Sequence, residues 1–225
     1  KIPGSPVAYW ITEQSLKMYL INNSLDNKYS PVVGMTTSDN SKFLRFWYEV
    51  LSNKIHLRNN NKWFWYSKGG GFKKWYGFEE YVVNWENEGY QIKNYKKDGI
   101  KKSASVRNEQ FYFKQGITWS SVTSGVFSAR LLTKDHIFDS GGSAIFPNKQ
   151  DVLPILAIMN SKIMDENLSI KNPTLNFQAS DIGSLPINSN IIGNDEISKL
   201  SKTNVLISKQ DWDSFETSWD FKNHP

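Results

Sequence analysis

The sequence predicts an α+β domain, with mixed and antiparallel strands in a twisted sheet and helices on its flanks. Three observations predict it. Residues 32–146 break into short β-rich runs separated by Gly and Asn. Helical spacing brackets that tract on both sides. Strand and helix signals never alternate regularly, which disfavours a doubly wound parallel sheet.

At the start, Ser5-Pro6 reads as an N-cap followed by Pro at the first helical position, opening a helix that runs to about Leu20. Candidate strands follow at Phe46–Leu51, Trp63–Tyr66, Tyr81–Trp85, Ile117–Ser120, Phe127–Leu132 and Ala144–Phe146. Asp151 can cap a helix reaching Met164, because Val152, Ile155, Leu156, Met159 and Ile163 recur at helical spacing. Beyond the prolines at Pro173 and Pro186, Ser208 and Asp211 form a capping box. Trp212, Phe215 and Trp219 then fall at i, i+3 and i+7. That stripe either packs on the domain's own core or meets a neighbouring segment, and both readings predict burial.

Composition bounds the function. Among 225 residues stand nine Trp, 10 Tyr and 13 Phe, which excludes a disordered chain. Zero cysteines exclude disulfides and thiolate metal sites, and fit a reducing cytoplasm. His56, His136 and His224 lack metal-ligand spacing, so no zinc site is expected. No run approaches the ~18 apolar residues of a membrane span, and Lys1-Ile-Pro-Gly-Ser-Pro6 does not open a signal peptide. A first residue of Lys fits a processed chain or a fragment of a longer one.

The net charge of +5 permits an anionic partner, and its distribution says more. Lys68, Lys73, Lys74, Lys93, Lys96, Lys97, Lys101, Lys102 and Arg107 crowd the middle, whereas Asp211, Asp213, Glu216 and Asp220 gather near the end. A one-sided contact surface for nucleic acid needs such a layout.

No catalytic centre stands out. In Asp139-Ser-Gly-Gly-Ser-Ala-Ile-Phe146 the glycines are adjacent and the run leads to Pro147, so it reads as a turn between strands and not as a cofactor loop. Asn172-Pro-Thr-Leu175 lacks the second Pro and the aromatic that an amino-methylating site uses to hold and stack a flipped base. Gly69-Gly70-Gly71 lacks the Gly-Lys-Ser/Thr ending of a phosphate loop. Binding is better served. The stretch from Trp63 to Gly77 interleaves aromatics, three lysines and glycines, which suits a groove-following loop and equally suits an ordinary hairpin with core aromatics. The polar run Gly34–Arg45 offers hydroxyls, Asn40, Lys42 and Arg45 to phosphates or base edges, although turn formation and capping by Asp39 or Ser41 is its stronger local reading.

Several segments together carry a resemblance: Ile2–Trp10, Gly34–Asn40, Phe43-Leu-Arg45, Lys73-Lys-Trp-Tyr-Gly77, Tyr81–Asn87, Ile117-Thr-Trp-Ser120, Asn172–Phe177 and Asp211–Phe221. In order and content they resemble the region behind the catalytic domain in PglX-like adenine-specific methyltransferases of BREX phage-defence systems, and of related type IIG restriction–modification enzymes. Leu156–Lys162 is similar to the helix after recognition domains in TaqI-like methyltransferases and type I specificity subunits. The resemblance implies a target-recognition fold and a division of labour. A catalytic domain elsewhere in the parent chain would hold S-adenosylmethionine and methylate a flipped adenine, and this chain, with no cofactor of its own, would grip and read double-stranded DNA.

On that reading residues 1–25 and 191–225 are helical connectors around a recognition domain at 26–190. Thr36, Thr37, Asn40, Lys42, Arg45, Lys68, Lys73, Lys74 and Arg130 are the candidate DNA contacts, with Trp75 bracing or inserting at the groove. Lys73-Lys74 stand where the resemblance implies an Arg, a departure that puts the bidentate guanine reader in doubt. Two other readings stay open: a self-contained small methyltransferase or nuclease, and a module docking other defence proteins through its aromatic surface.

Overall fold

A computed structural model describes residues 11–55, 61–101, 104–172 and 174–224. In chain order these form α1 (Glu13–Ile21), β1 (Asn23–Ser24), α2 (Asn40–Phe43), β2 (Leu44–Phe46), β3 (Trp63–Ser67), β4 (Tyr81–Asn84), α3 (Glu86–Lys93), β5 (Lys96–Lys97) and β6 (Ile100–Lys101). There follow β7 (Gly116–Trp119), β8 (Ala129–Leu132), β9 (His136–Phe138), β10 (Ala144–Ile145), α4 (Val152–Met159), α5 (Lys162–Lys171), α6 (Ala179–Gly183), β11 (Pro186–Ile187) and α7 (Asp195–Trp212). The class is α+β, as the patterning predicts.

Two sheets organise the chain. One is antiparallel in the order β10-β7-β8. The other runs β2-β4-β3-β9, antiparallel except for β9, which lies parallel to β3 with Trp65 beside His136. Each sheet has its own core. Ile117, Trp119, Ala129 and Ile145 lie under Val152, Ile155, Leu156 and Met159 of α4. Leu44, Tyr66, Val83 and Ile137 lie against Met35, Phe43, Trp85 and Tyr95. Strand alternation joins the two cores, because successive side chains point to opposite faces. Ala144 enters the second core while Ile145 enters the first, and β8 likewise sends Ala129 to the first and Leu132 to the second.

Several elements depart from expectation. The Ser5-Pro6 start lies outside the described residues, and the described helix starts later. Thr12 is extended (ψ 154°) and accepts a hydrogen bond from the Ser15 amide, so α1 begins at Glu13. The strand expected at Phe46–Leu51 ends at Phe46, where the chain turns into a single 3₁₀ turn at Trp47–Glu49 closed by Glu49 accepting from the Phe46 amide. The helix expected over 151–164 is two helices. Asn160 leaves the helical path to bond both backbone groups of Ala129 on β8, at 3.0 Å each, and Ser161 caps α5 by accepting from the Met164 amide.

The Ser208–Asp211 capping box does not form, because both residues lie inside α7. Ser208 Oγ instead donates to the carbonyls of Lys74 and Tyr76. With the helix ending at Trp212, the helical stripe is lost. Trp212 is buried, but Phe215 and Trp219 are exposed. β9 went unpredicted because its three residues are too few to show alternation. Among the described residues no helix is long and apolar enough to cross a membrane.

Candidate nucleic-acid interface

The ten candidate contacts separate into two groups. Four of them, Lys73, Lys74, Trp75 and Arg130, line an internal seam. The chain between β3 and β4 does not project as a hairpin. Trp75 donates to the Ala129 carbonyl (2.8 Å) and accepts from the Leu131 amide (2.9 Å), laying residues 73–76 alongside β8. Gly69 packs so closely on the Gly141 carbonyl that a Cβ there has no room, and Gly70 donates to Ser120 Oγ. The glycine turn is therefore held against the protein.

The lysines of this seam already have partners. Lys73 pairs with Asp211 at 2.7 Å. Lys74 donates to the Asn160 carbonyl at 3.0 Å and lies 3.7 Å from Asp165, whose carboxyl is pushed up by burial against the opposing pull of Lys74. Trp75 is half-buried on the first core, in the bracing position.

Arg130 corrects the sequence reading outright. It is 1% exposed, stacks over Phe78 at 4.9 Å and donates to Ser120 Oγ, so no phosphate reaches it. Burial pulls its guanidinium down to about 10, with the charge of nearby Glu79 opposing. It remains a cation at neutral pH, with Nη2 buried and without a hydrogen-bond partner among the described residues.

The other six gather around the edge strand β2, all but Thr37 at least partly exposed. The backbone of Thr36 bridges to Ser105, and its hydroxyl accepts from the Ser105 amide. Thr37 is a second correction: at 1% exposure its hydroxyl donates to Asn40 Oδ1 at 2.6 Å, so it shapes the loop from beneath. Asn40 and Lys42 are exposed on α2, which Asp39 caps by accepting from the Lys42 amide at 3.1 Å. Ser41 and Tyr95 donate to the same carboxylate, and with Lys97 nearby they hold it down at about 2. Lys42 Nζ lies over the Tyr95 ring at 4.4 Å. Arg45 is tethered to the Ser41 and Leu44 carbonyls and packs over Trp63. Lys68 sits over Tyr81, which stacks on Phe46, which stacks on Tyr48.

Folding adds cations that the candidate set lacked. Lys62 joins Arg45 over the Trp63 ring. Lys96 and Lys97 stand exposed on the β5–β6 hairpin, whose turn residues Asp98 and Gly99 both take positive φ (53° and 75°). An Asp-Gly pair between basic residues is a hairpin signal legible in sequence. Among the described residues, none of Lys42, Arg45, Lys62, Lys68, Lys96 and Lys97 has a carboxylate within 4 Å, whereas Lys73, Lys74, Lys93 and Lys209 each do. Lys62 and Lys68 flank β3, so at ~3.3 Å per residue the row of cations spans roughly 20 Å.

Comparison with known proteins gives this surface its context. No family model matches the chain. The chain is 40% identical, over 230 aligned residues, to the adenine-specific methyltransferase BrxX of Escherichia coli O9:H4 (strain HS), covering 100% of this chain and 18% of that protein. It is 38% identical over 232 residues to the adenine-specific methyltransferase PglX of Lacticaseibacillus casei (strain Zhang), covering 98% of this chain and 19% of the relative. Its relatives are adenine-specific methyltransferases. The chain spans about a fifth of their length.

Two segments that the sequence sets beside methyl-donor motifs are engaged in internal contacts. The Asp139–Phe146 segment is a turn between β9 and β10, and Gly142 is packed against the backbone of residues 67–69. Asn172 spends its amide on Asn176 and Asp181, and its carbonyl accepts from Thr174.

Proposed function

We propose that this chain is the DNA target-recognition part of an adenine-N6 DNA methyltransferase of a BREX or restriction–modification system. In this reading it binds double-stranded DNA in a sequence-specific way and performs no methyl transfer itself. The catalytic domain, holding S-adenosylmethionine, belongs to the parent polypeptide outside this chain. One observation carries the reading: the unneutralised cations gather along β2, β3 and the β5–β6 hairpin, next to Thr36, Asn40 and exposed aromatics, in a chain whose relatives act as adenine-specific methyltransferases.

Lys42, Lys62, Lys96 and Lys97 neutralise phosphates and set the register. Asn40 and Arg45 carry the hydrogen-bonding groups suited to base edges, Asn to adenine and Arg to guanine. Tyr48, Phe46 and Tyr81 form a ladder beside Lys68 that can lie along the sugars. The deciding experiment is a graft. These residues replace the matching segment of the Escherichia coli relative, and the methylated adenines of the hybrid are mapped. A shifted methylation sequence supports target recognition; an unshifted one, from a hybrid that still methylates, removes it.

A further inference from the structure

A cavity of about 340 Å³ that the DNA reading does not use opens at Trp65 of β3. It forms between β9 and the C-terminal segment, with the rings of Trp65, Tyr76 and Trp219 among its walls. Trp219 stands edge-on to Trp65 at 5.6 Å and to Trp47 at 5.2 Å, and Trp47 Nε1 donates to the Thr217 carbonyl, which seats the segment. His136 and Glu79 line it as well and pair with each other. Lys209 is spent too, pairing with Asp213 at 2.7 Å and Asp220 at 2.6 Å. Asp135 differs. This lining carboxylate, half-exposed, has no cation within 4 Å among the described residues.

Tyr76 already carries Lys209 over its ring at 5.0 Å, and Trp65 stacks on His136. The Trp219 indole, edge-on to Trp65 and beside the unanswered Asp135 carboxylate, is what favours a cation and disfavours phosphate. Asp211, Asp213, Glu216 and Asp220 make the neighbouring segment acidic as well. A planar guanidinium suits such a site better than an ammonium, since it stacks on an indole while its edge donates to a carboxylate. We propose that this cavity is a docking site for an arginine side chain presented by a protein partner. The same fold then meets DNA at one surface and a cationic polypeptide at another.

The test uses three acetylated, amidated pentapeptides with glycine around a central arginine, citrulline or lysine. Binding to this chain is followed through the indole N–H resonances of Trp65 and Trp219. The arginine peptide is expected to perturb both in a saturable way, with citrulline, which keeps the shape and loses the charge, at least about tenfold weaker. Asp135→Asn and Trp219→Ala should each weaken arginine binding by a similar factor while leaving the circular dichroism unchanged. Equal binding of citrulline, stronger binding of lysine, silence of both indoles towards every peptide, or perturbation of the same indoles by a short DNA duplex would each overturn the assignment.

Discussion

Replacing Asn160 by Ala removes both bonds to Ala129 and strands its buried amide, while the Ala129 carbonyl keeps the Trp75 amide. An orphaned buried group costs about 1–3 kcal/mol, so Asn160→Ala should destabilise the protein by roughly 2 kcal/mol in urea unfolding. Asn160→Asp, which keeps the acceptor, should recover part of that loss, and a loss under about 1 kcal/mol for Ala would mean the pin is not structural. Asp39 gives a prediction with a pH sign. Hydrogen bonds from Ser41 and Tyr95 lower its carboxyl from 3.8 to about 2 in the folded protein. Its contribution is complete above about pH 4 and disappears as pH falls through about 2. The stability gap between the parent chain and Asp39→Asn should therefore be open at pH 6 and closed near pH 2; a pH-independent gap would sink this account. The sequence displayed the identities of these residues but not their surroundings. Arg130 and Lys42 look alike as letters, and only the packing of Phe78 and β8 over one of them makes it a core residue.

At the scale of elements, legibility followed length and local chemistry. β3, β4 and β7 were readable because four or five β-forming residues sit between turn signals. The α4–α5 break was not, since it depends on Asn160 reaching a strand 31 positions earlier in sequence. The course of α7 was misread for the same reason: Ser208 resembles a cap but satisfies two carbonyls of the 73–76 segment. For that segment the sequence left a groove-following loop and an ordinary hairpin equally open, and its internal partners change which lysines should matter for DNA. If Lys42 and Lys97 each meet a phosphate, replacing both by Ala should flatten the dependence of log K on log salt by about 1.8, or ~0.9 per contact. Replacing Lys73 and Lys74 should leave that slope unchanged. The Lys73 pair is partly exposed and worth at most about 1 kcal/mol of folding stability. A slope that falls with Lys73 and Lys74 and not with Lys42 and Lys97 would relocate the interface to the seam.

For the molecule as a whole, the two sheets could belong to two independent units or to one. The physical argument favours one. β8 and β10 each contribute neighbouring side chains to both cores, so neither core can dissolve without exposing the opposite face of a strand that the other needs. The seam reinforces this, because residues 73–76, which leave β3 and return to β4 of the second sheet, are fastened to β8 of the first and to α7. Damage in one core should therefore be felt fully in the other. Leu156 is completely buried in the first core, and Leu156→Ala should cost about 2–5 kcal/mol. Trp119 reports on that core and Trp85 on the second, so fluorine-labelled tryptophan resonances follow each separately during heating. Both should vanish at one temperature in the parent chain and at one lower temperature in the variant. If Trp119 melts earlier in Leu156→Ala while Trp85 keeps its original midpoint, the cores are separable, and the cationic edge, which rests on the second sheet, would survive without the first.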